Sequence, residues 1–137
     1  MYTFEYRNAR QALREAFRLC HKHYMLNKQR ILRYLIPCEM IIGNFPTQKL
    51  LEQYDLREYI DLSRAAIRGD LPELEKNIEK YMDYFVSLGV YISVEKLRLV
   101  TLRNFIKRVV AAVKQTPELQ KDGKYHMLQL KLIFRPL

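Results

Sequence analysis

Residues 27–43 read NKQRILRYLIPCEMIIG, and this stretch decides the fold class more than any other part of the 137-residue chain. Its apolar residues fall on more than one side of a helical projection, so we expect a helix over about 28–42 that neighbouring helices enclose. Pro37 lies in its middle and cannot donate a backbone hydrogen bond, which predicts a kink or a division. Gly43 suits a C-terminal cap.

Amphipathic helices are predicted on both sides of this stretch. Residues 2–23 place apolar side chains on one face and arginines on the other. Thr47 is expected to cap a short helix that runs through about Tyr54. The next helix covers about 56–68, and Gly69 is expected to end it.

Asp70 is the clearest helix start in the chain. It is followed by Pro72, in the first turn where a missing amide hydrogen is harmless, and by Glu73 at the position of a capping box. One apolar stripe then continues to about residue 89. We therefore expect a single helix over this region.

The rest of the chain is predicted as a connector at 90–93 and a long helix over about 94–114. Six or seven helices joined by short loops predict an all-α fold of stacked antiparallel helix pairs. Residues 1–115 form this helical domain, and 116–137 are a divergent C-terminal tail. Four apolar residues in the tail alternate with polar ones at strand spacing, although a short helix stays open: Leu128, Leu130, Leu132 and Phe134.

Composition excludes several classes of protein. With 49% hydrophobic and 28% charged residues the chain has the composition of one globular domain. It has no bilayer-spanning apolar run and no signal pattern at its start, so we expect a soluble, intracellular protein without membrane contact. Cys20 and Cys38 are expected to be buried thiols, and His21 and His23 point to different helix faces. We therefore predict that the protein binds no metal, no cofactor and no small-molecule substrate, and that it is not an enzyme.

Positive charge is segregated along the sequence. Residues 1–51 and 84–137 carry net charges of +6 and +7, whereas 52–83 carry −4, which together give the total of +9. A basic face for a polyanion is one interpretation, and ordinary solvated helix faces are the other. In the long helix, four cations fall in one sector of about 40° opposite an apolar arc, namely Lys96, Arg103, Lys107 and Lys114. We therefore expect them to line one edge of a helix whose apolar arc is buried.

The candidate nucleic-acid-binding residues are cations that we expect at one end of the helix stack, where they would contact phosphates without sequence preference. They are Lys28, Arg30, Arg33, Lys96, Arg103, Lys107 and Arg108.

Four segments together resemble the helical half of a PCI domain, in order and spacing, over about residues 10–113. They are the stretch 27–43, PTQKLLEQYDL at 46–56, RAAIRGDL at 64–71 and EKLRLVTLRNFIKRV at 95–109. Family members place a helical-repeat region before this segment and a winged helix after it. Residues 115–137 do not reproduce the winged-helix pattern, so we expect a fragment, a truncated product or a divergent short relative.

The resemblance implies a non-catalytic scaffold or adaptor subunit of a nuclear mRNA-export complex. Its implied partners are a large export-scaffold protein, a small acidic subunit and RNA or DNA, and its implied location is the nucleus, with the cytoplasm left open. PCI domains also occur in the proteasome lid, the signalosome and a translation initiation factor. A subunit of one of those complexes is therefore the alternative.

Overall fold

The computed structural model describes residues 2–115, with side chains from residue 6 onward, and within this range it is helical with no strand. The all-α prediction is confirmed, with eight helices in place of the six or seven expected. The predicted tail, 116–137, lies outside the described residues. None of the described helices is long and apolar enough to cross a bilayer. The helices are α1 (Tyr2–Leu19), α2 (Met25–Ile41), α3 (Gln48–Gln53), α4 (Arg57–Arg68), α5 (Leu71–Lys80), α6 (Met82–Leu88), α7 (Tyr91–Glu95) and α8 (Leu97–Gln115).

Helices α1 and α2 form an antiparallel pair held by one acidic residue. Glu39 near the end of α2 accepts hydrogen bonds from Arg10, at 3.0 Å, and from Arg14. At the other end of the pair, the Lys28 Nζ lies 4.7 Å from the centre of the Phe17 ring. Because α1 packs mainly on α2, these contacts fix its position.

Pro37 does not divide α2, which is one continuous helix over Met25–Ile41. A proline at this position leaves the carbonyl of Arg33, four residues earlier, without its helical donor. The hydroxyl of Tyr59 on α4 donates to that carbonyl at 2.6 Å. Tyr59 is fully buried, and burial raises the pKa of its hydroxyl well above the usual range, so the proton is retained. A side chain thus replaces the backbone donor that proline removes.

The predicted caps of α3, α4 and α5 are confirmed. The Thr47 hydroxyl accepts from the amide of Leu50 at 3.3 Å, and Asp70 accepts from the amide of Glu73 at 3.1 Å. Gly69 ends α4 in the left-handed conformation, with φ of 71°. The reciprocal half of the capping box is not formed, because the Asp70 amide donates instead to a carbonyl of the preceding helix.

Three predicted boundaries are wrong. Helix α1 ends at Leu19 and not near residue 23, because His21 accepts from backbone amides in the turn that follows. The helix expected up to about 89 is broken at Tyr81, whose hydroxyl bonds to Asp61 on α4 at 3.3 Å. The expected connector 90–93 lies largely within α7, which buries Val94 completely. In the last two cases contacts with other helices override the local pattern.

The core lies mainly between α2, α4, α5 and the start of α8, and α3, α6 and α7 also add buried residues to it. Tyr59 of α4 and Phe85 of α6 pack in it with ring centres 5.8 Å apart and ring planes inclined by 41°. Helix α8 joins this core only through its first turns, so the prediction that its long apolar arc is buried is wrong. Leu99 and Phe105 on that arc are 62% and 50% exposed. Polar contacts help to join this part of α8 to α4, since Asn104 donates to the carbonyl of Ala66 on α4 at 2.9 Å.

Candidate nucleic-acid interface

Arg103 and Lys107 lie one turn apart on α8, and both are exposed. None of the ion pairs found in residues 6–115 includes either of them. Asn104, between them in sequence, hydrogen-bonds to the backbone of α4 and fixes the rotation of the helix. The two cations are therefore held outward at a spacing of about 6 Å along the helix axis.

Arg108 has a structural contact that the sequence pattern did not predict. Its Nη1 donates to the backbone carbonyl of Arg68, the last residue of α4, at 2.5 Å. Carbonyls at a helix C-terminus lack intrahelical donors, so this guanidinium caps α4. The remaining donors of Arg108 stay exposed beside Lys107.

Lys96 does not belong to α8, because it is the C-terminal cap residue of α7. Its Nζ lies 4.3 Å from the centre of the Tyr6 ring on α1. The Tyr6 hydroxyl is also 3.3 Å from the Ser93 hydroxyl. Lys96 therefore helps to attach the start of α1 to α7.

The three candidates on α2 have different environments. Lys28 is half-buried against Phe17, and Arg30 is exposed. Arg33 is half-buried, and its Nε is buried without a hydrogen-bond partner among the described residues. Its backbone carbonyl accepts the hydrogen bond from the Tyr59 hydroxyl. Arg30 is thus the α2 cation best placed to meet a ligand.

The expectation that all seven cations gather at one end of the stack is wrong. Helix α2 and the segment of α3 and α4 run in the same direction. Near the start of α2 the Gln29 side chain donates to the carbonyl of Tyr54 at 2.9 Å, and near its end Met40 accepts at its sulfur from Ser63 of α4 at 3.3 Å. Lys28 and Arg30 therefore lie near the start of α4. The α8 cations lie near the end of α4, where Asn104 meets Ala66 and Arg108 meets Arg68. The structure therefore separates Lys28 and Arg30 from Arg103, Lys107 and Arg108.

Three arginines outside the predicted set alter the electrostatics. Arg98 on α8 lies 3.7 Å from Glu75 and 3.9 Å from Glu95, so part of the charge of this helix is compensated. On α4, Arg64 and Arg68 line a polar hollow of about 230 Å³ together with three acidic residues, Asp61, Asp70 and Glu73. The sequence contains both sets of residues, but their placement around one hollow depends on how α4 and α5 pack. The positive charge of Arg103 and Lys107 on α8 is therefore less compensated by nearby acids than that of the α4 arginines.

The two cysteines lie in different environments. Cys38 is buried, and burial raises the pKa of its thiol, whereas Cys20 is half-exposed, which corrects the prediction that both thiols are buried. Within residues 6–115 no three His, Cys, Asp or Glu side chains are placed to hold a metal ion.

Comparison with known proteins gives the family. No family model matches the sequence. PCI domain-containing protein 2 of Danio rerio is 36% identical over 109 residues, which cover 80% of this chain and 27% of the relative. The chain belongs to the PCI-domain family. PCI domain-containing protein 2 of Xenopus laevis is 34% identical over 123 residues, 90% of this chain and 31% of the relative. The protein named CSN12 homolog in Neurospora crassa is 36% identical over 110 residues, which cover 78% of this chain and 24% of the relative.

This PCI-family chain spans between about a quarter and a third of the length of these relatives. The predicted resemblance to the PCI-domain family is confirmed by these identities. Membership of this family indicates that the chain is part of a subunit of a multiprotein complex.

Proposed function

We propose that this chain is a non-catalytic scaffold segment of a nuclear mRNA-export complex, and that it contacts nucleic acid through Arg103 and Lys107. The observation that carries the proposal is the outward position of these two cations without a carboxylate partner in the described part of the chain. Similarity to PCI domain-containing protein 2 supports the scaffold role. A large export-scaffold protein and a small acidic subunit are the proposed protein partners.

Phosphate contact by α8 follows from charge and rigidity. Uncompensated surface cations attract a polyanion over distances comparable with the Debye length, and each phosphate contact releases a counterion. Because α8 is fixed to α4 through Asn104 and Arg108, little ordering is needed when a strand binds. Nothing in this arrangement reads base edges, so we expect binding with little sequence preference.

A charge-reversal experiment tests the nucleic-acid contact. In Arg103→Glu/Lys107→Glu the anisotropy of a labelled single-stranded RNA should report affinity at least about tenfold weaker, with a salt slope smaller by about 1.4 in log–log units. Thermal stability should change by less than about 1 kcal/mol, because both residues are exposed. The effect should be similar for unrelated RNA sequences.

A matched control is Arg57→Glu/Arg64→Glu, which makes the same charge change on α4. Its RNA affinity should stay close to that of the unchanged chain. Equal losses in the two variants would show that only total charge matters, and the α8 interface would then be rejected. A large loss of thermal stability in the α8 variant would show that its cations support the fold instead.

A second candidate is a subunit of a different PCI complex, such as the proteasome lid, the signalosome or a translation initiation factor. The similarity to a Neurospora crassa protein with a different name, CSN12 homolog, favours keeping it. Affinity purification of the tagged chain from cells, followed by mass spectrometry, separates the two. A large export scaffold with a small acidic chain supports the export complex, whereas lid or signalosome subunits would overturn it.

A further inference from the structure

Helices α4 and α5 enclose a polar hollow of about 230 Å³, which we call the α4–α5 hollow. Asp61 and Arg64 line it from α4, and Glu73 and Asn77 line it from α5. Asn77 is 6% exposed, whereas Arg64 and Glu73 are exposed. The hollow therefore has a buried amide at its inner end and charged side chains around its opening.

The buried amide of Asn77 has an unused hydrogen-bond acceptor. Its Nδ2 makes one long contact, 3.4 Å, with the backbone carbonyl of Asp61, and its Oδ1 accepts no hydrogen bond from any described residue. An unpaired polar group in a buried position costs free energy, and the large majority of buried side-chain polar atoms have a partner. A donor that entered the hollow would supply the missing partner.

Carboxylates add further acceptors beside this amide. Asp61 is half-buried, and its Oδ2 accepts from the Tyr81 hydroxyl at 3.3 Å, which leaves its Oδ1 open to a ligand. Neither Asp61 nor Glu73 takes part in any of the ion pairs found in residues 6–115. The hollow thus presents hydrogen-bond acceptors, and several of them are negatively charged.

This set of acceptors selects a cationic donor and rejects an anion. A phosphate or a carboxylate in the hollow would meet Asp61, Asp70 and Glu73 at close range. A guanidinium has five donors in one plane and is more weakly hydrated than an ammonium group, so it loses less on entering a partly buried site. Residues 52–83, which contain the hollow, carry a net charge of −4 and attract basic segments.

We propose that the α4–α5 hollow binds the guanidinium of an arginine in a basic segment of a partner protein. That group would donate to the Asn77 Oδ1 and to the free oxygen of Asp61, with Glu73 at the opening. Arg64 and Arg68 line the same hollow, and their exposed, flexible side chains can turn toward solvent, although their like charge limits the affinity. The inference does not depend on the proposed contact between α8 and nucleic acid.

The test uses the full chain and a short synthetic peptide of Gly and Ser that contains two arginines. Calorimetry should show saturable binding that weakens at high salt. Asp61→Asn should weaken it at least about tenfold, because a hydrogen bond to a charged group is lost. The matched control is Asp83→Asn, which makes the same charge change on α6, outside the hollow, and should leave affinity within about twofold.

Two further variants test the inner amide and the opening. Asn77→Leu should abolish binding without lowering the free energy of unfolding, because it removes an acceptor that has no partner. Arg64→Gln should strengthen binding by about threefold, since it removes a like charge from an exposed position. In the unchanged chain, the side-chain amide signal of Asn77 in nuclear magnetic resonance spectra should shift as the peptide is added.

Altered peptides identify the group that is bound. A peptide with citrulline in place of arginine should not bind, and a lysine peptide should bind more weakly. Equal binding of the lysine peptide would overturn the assignment to a guanidinium. No binding by the unchanged chain, or equal losses in Asp61→Asn and Asp83→Asn, would overturn the proposal.

Two other measurements separate this surface from other contacts. Self-association in sedimentation that Asp61→Asn abolishes would show that a second copy of the chain fills the hollow, and the assignment to a different protein would then be rejected. Arg103→Glu/Lys107→Glu should lose RNA affinity and keep peptide affinity, and Asp61→Asn should do the opposite. Loss of peptide binding alone would therefore leave the nucleic-acid proposal standing.

Discussion

The hydroxyl of Tyr59 should contribute more to the free energy of unfolding when residue 37 is proline than when it is alanine. In Tyr59→Phe the partly buried carbonyl of Arg33 loses its one strong donor, a hydroxyl of a fully buried side chain, and an unsatisfied buried group costs about 1–3 kcal/mol. In Pro37→Ala the restored backbone amide can donate to the same carbonyl. In that background Tyr59→Phe should therefore cost only about 0.5–1 kcal/mol, which gives a coupling energy of about 1 kcal/mol.

Urea unfolding of the four proteins, followed by circular dichroism at low protein concentration, measures this cycle. The midpoint should shift while the urea dependence stays the same, since the folded structure is retained. Tyr84→Phe is the matched control, because Tyr84 packs beside Phe85 at 5.5 Å and its hydroxyl has no hydrogen bond among the described residues. Its cost should be below about 0.5 kcal/mol. If Tyr59→Phe costs the same with proline and with alanine at position 37, the compensation argument is refuted.

Three other substitutions give separate predictions. Gly69→Ala should destabilise the chain by more than about 2 kcal/mol in urea unfolding, because a Cβ there would lie 2.5 Å from the backbone nitrogen of Phe105 at a φ of 71°. The control is Gly43→Ala, at positive φ but in open space, which should cost about 1 kcal/mol. Equal costs would contradict the close-approach argument. Asp70→Ala should lower the free energy of unfolding by about 1 kcal/mol, with Asp70→Asn restoring most of it, and no loss would show that the cap is unimportant. At Glu39, burial alone would raise the pKa, but hydrogen bonds from its neighbours outweigh burial and lower it. The stability it contributes is therefore present above the unfolded pKa of about 4.3 and is lost as pH falls through the lower folded value. Unfolding followed from pH 7 to pH 3 should show a smaller acid-induced loss in Glu39→Gln, and an unchanged loss would contradict this assignment.

The parts of the fold that depend on neighbouring residues could be predicted from the sequence. Thr47, Gly69 and Asp70 act on backbone groups within a few positions, so their roles follow from local chemistry. The break at Tyr81 and the helix around Val94 depend on contacts with distant elements, Asp61 in the first case and the core in the second. Helical periodicity cannot show which of several apolar sides meets a neighbour, and α8 was misjudged for that reason.

The candidate site divides in the same way. Spacing along one helix was enough to place Arg103 and Lys107 on an exposed side. The capping of α4 by Arg108 and the half-buried position of Arg33 depend on where α4 lies, which spacing does not contain. The separation of the two groups of cations likewise follows from how α2 is placed against α3 and α4.

The contact at Gly69 determines the direction in which the outer half of α8 projects. Two backbones meet there almost without side chains between them, so the crossing of α4 and α8 leaves little room for adjustment. A bulkier residue would push the two helices apart at this crossing and change the angle between them. The resulting displacement would be greatest at the far end of α8. Variation at this uncharged position could therefore re-aim the exposed cations and change which partners can reach them, while every charged residue stayed the same.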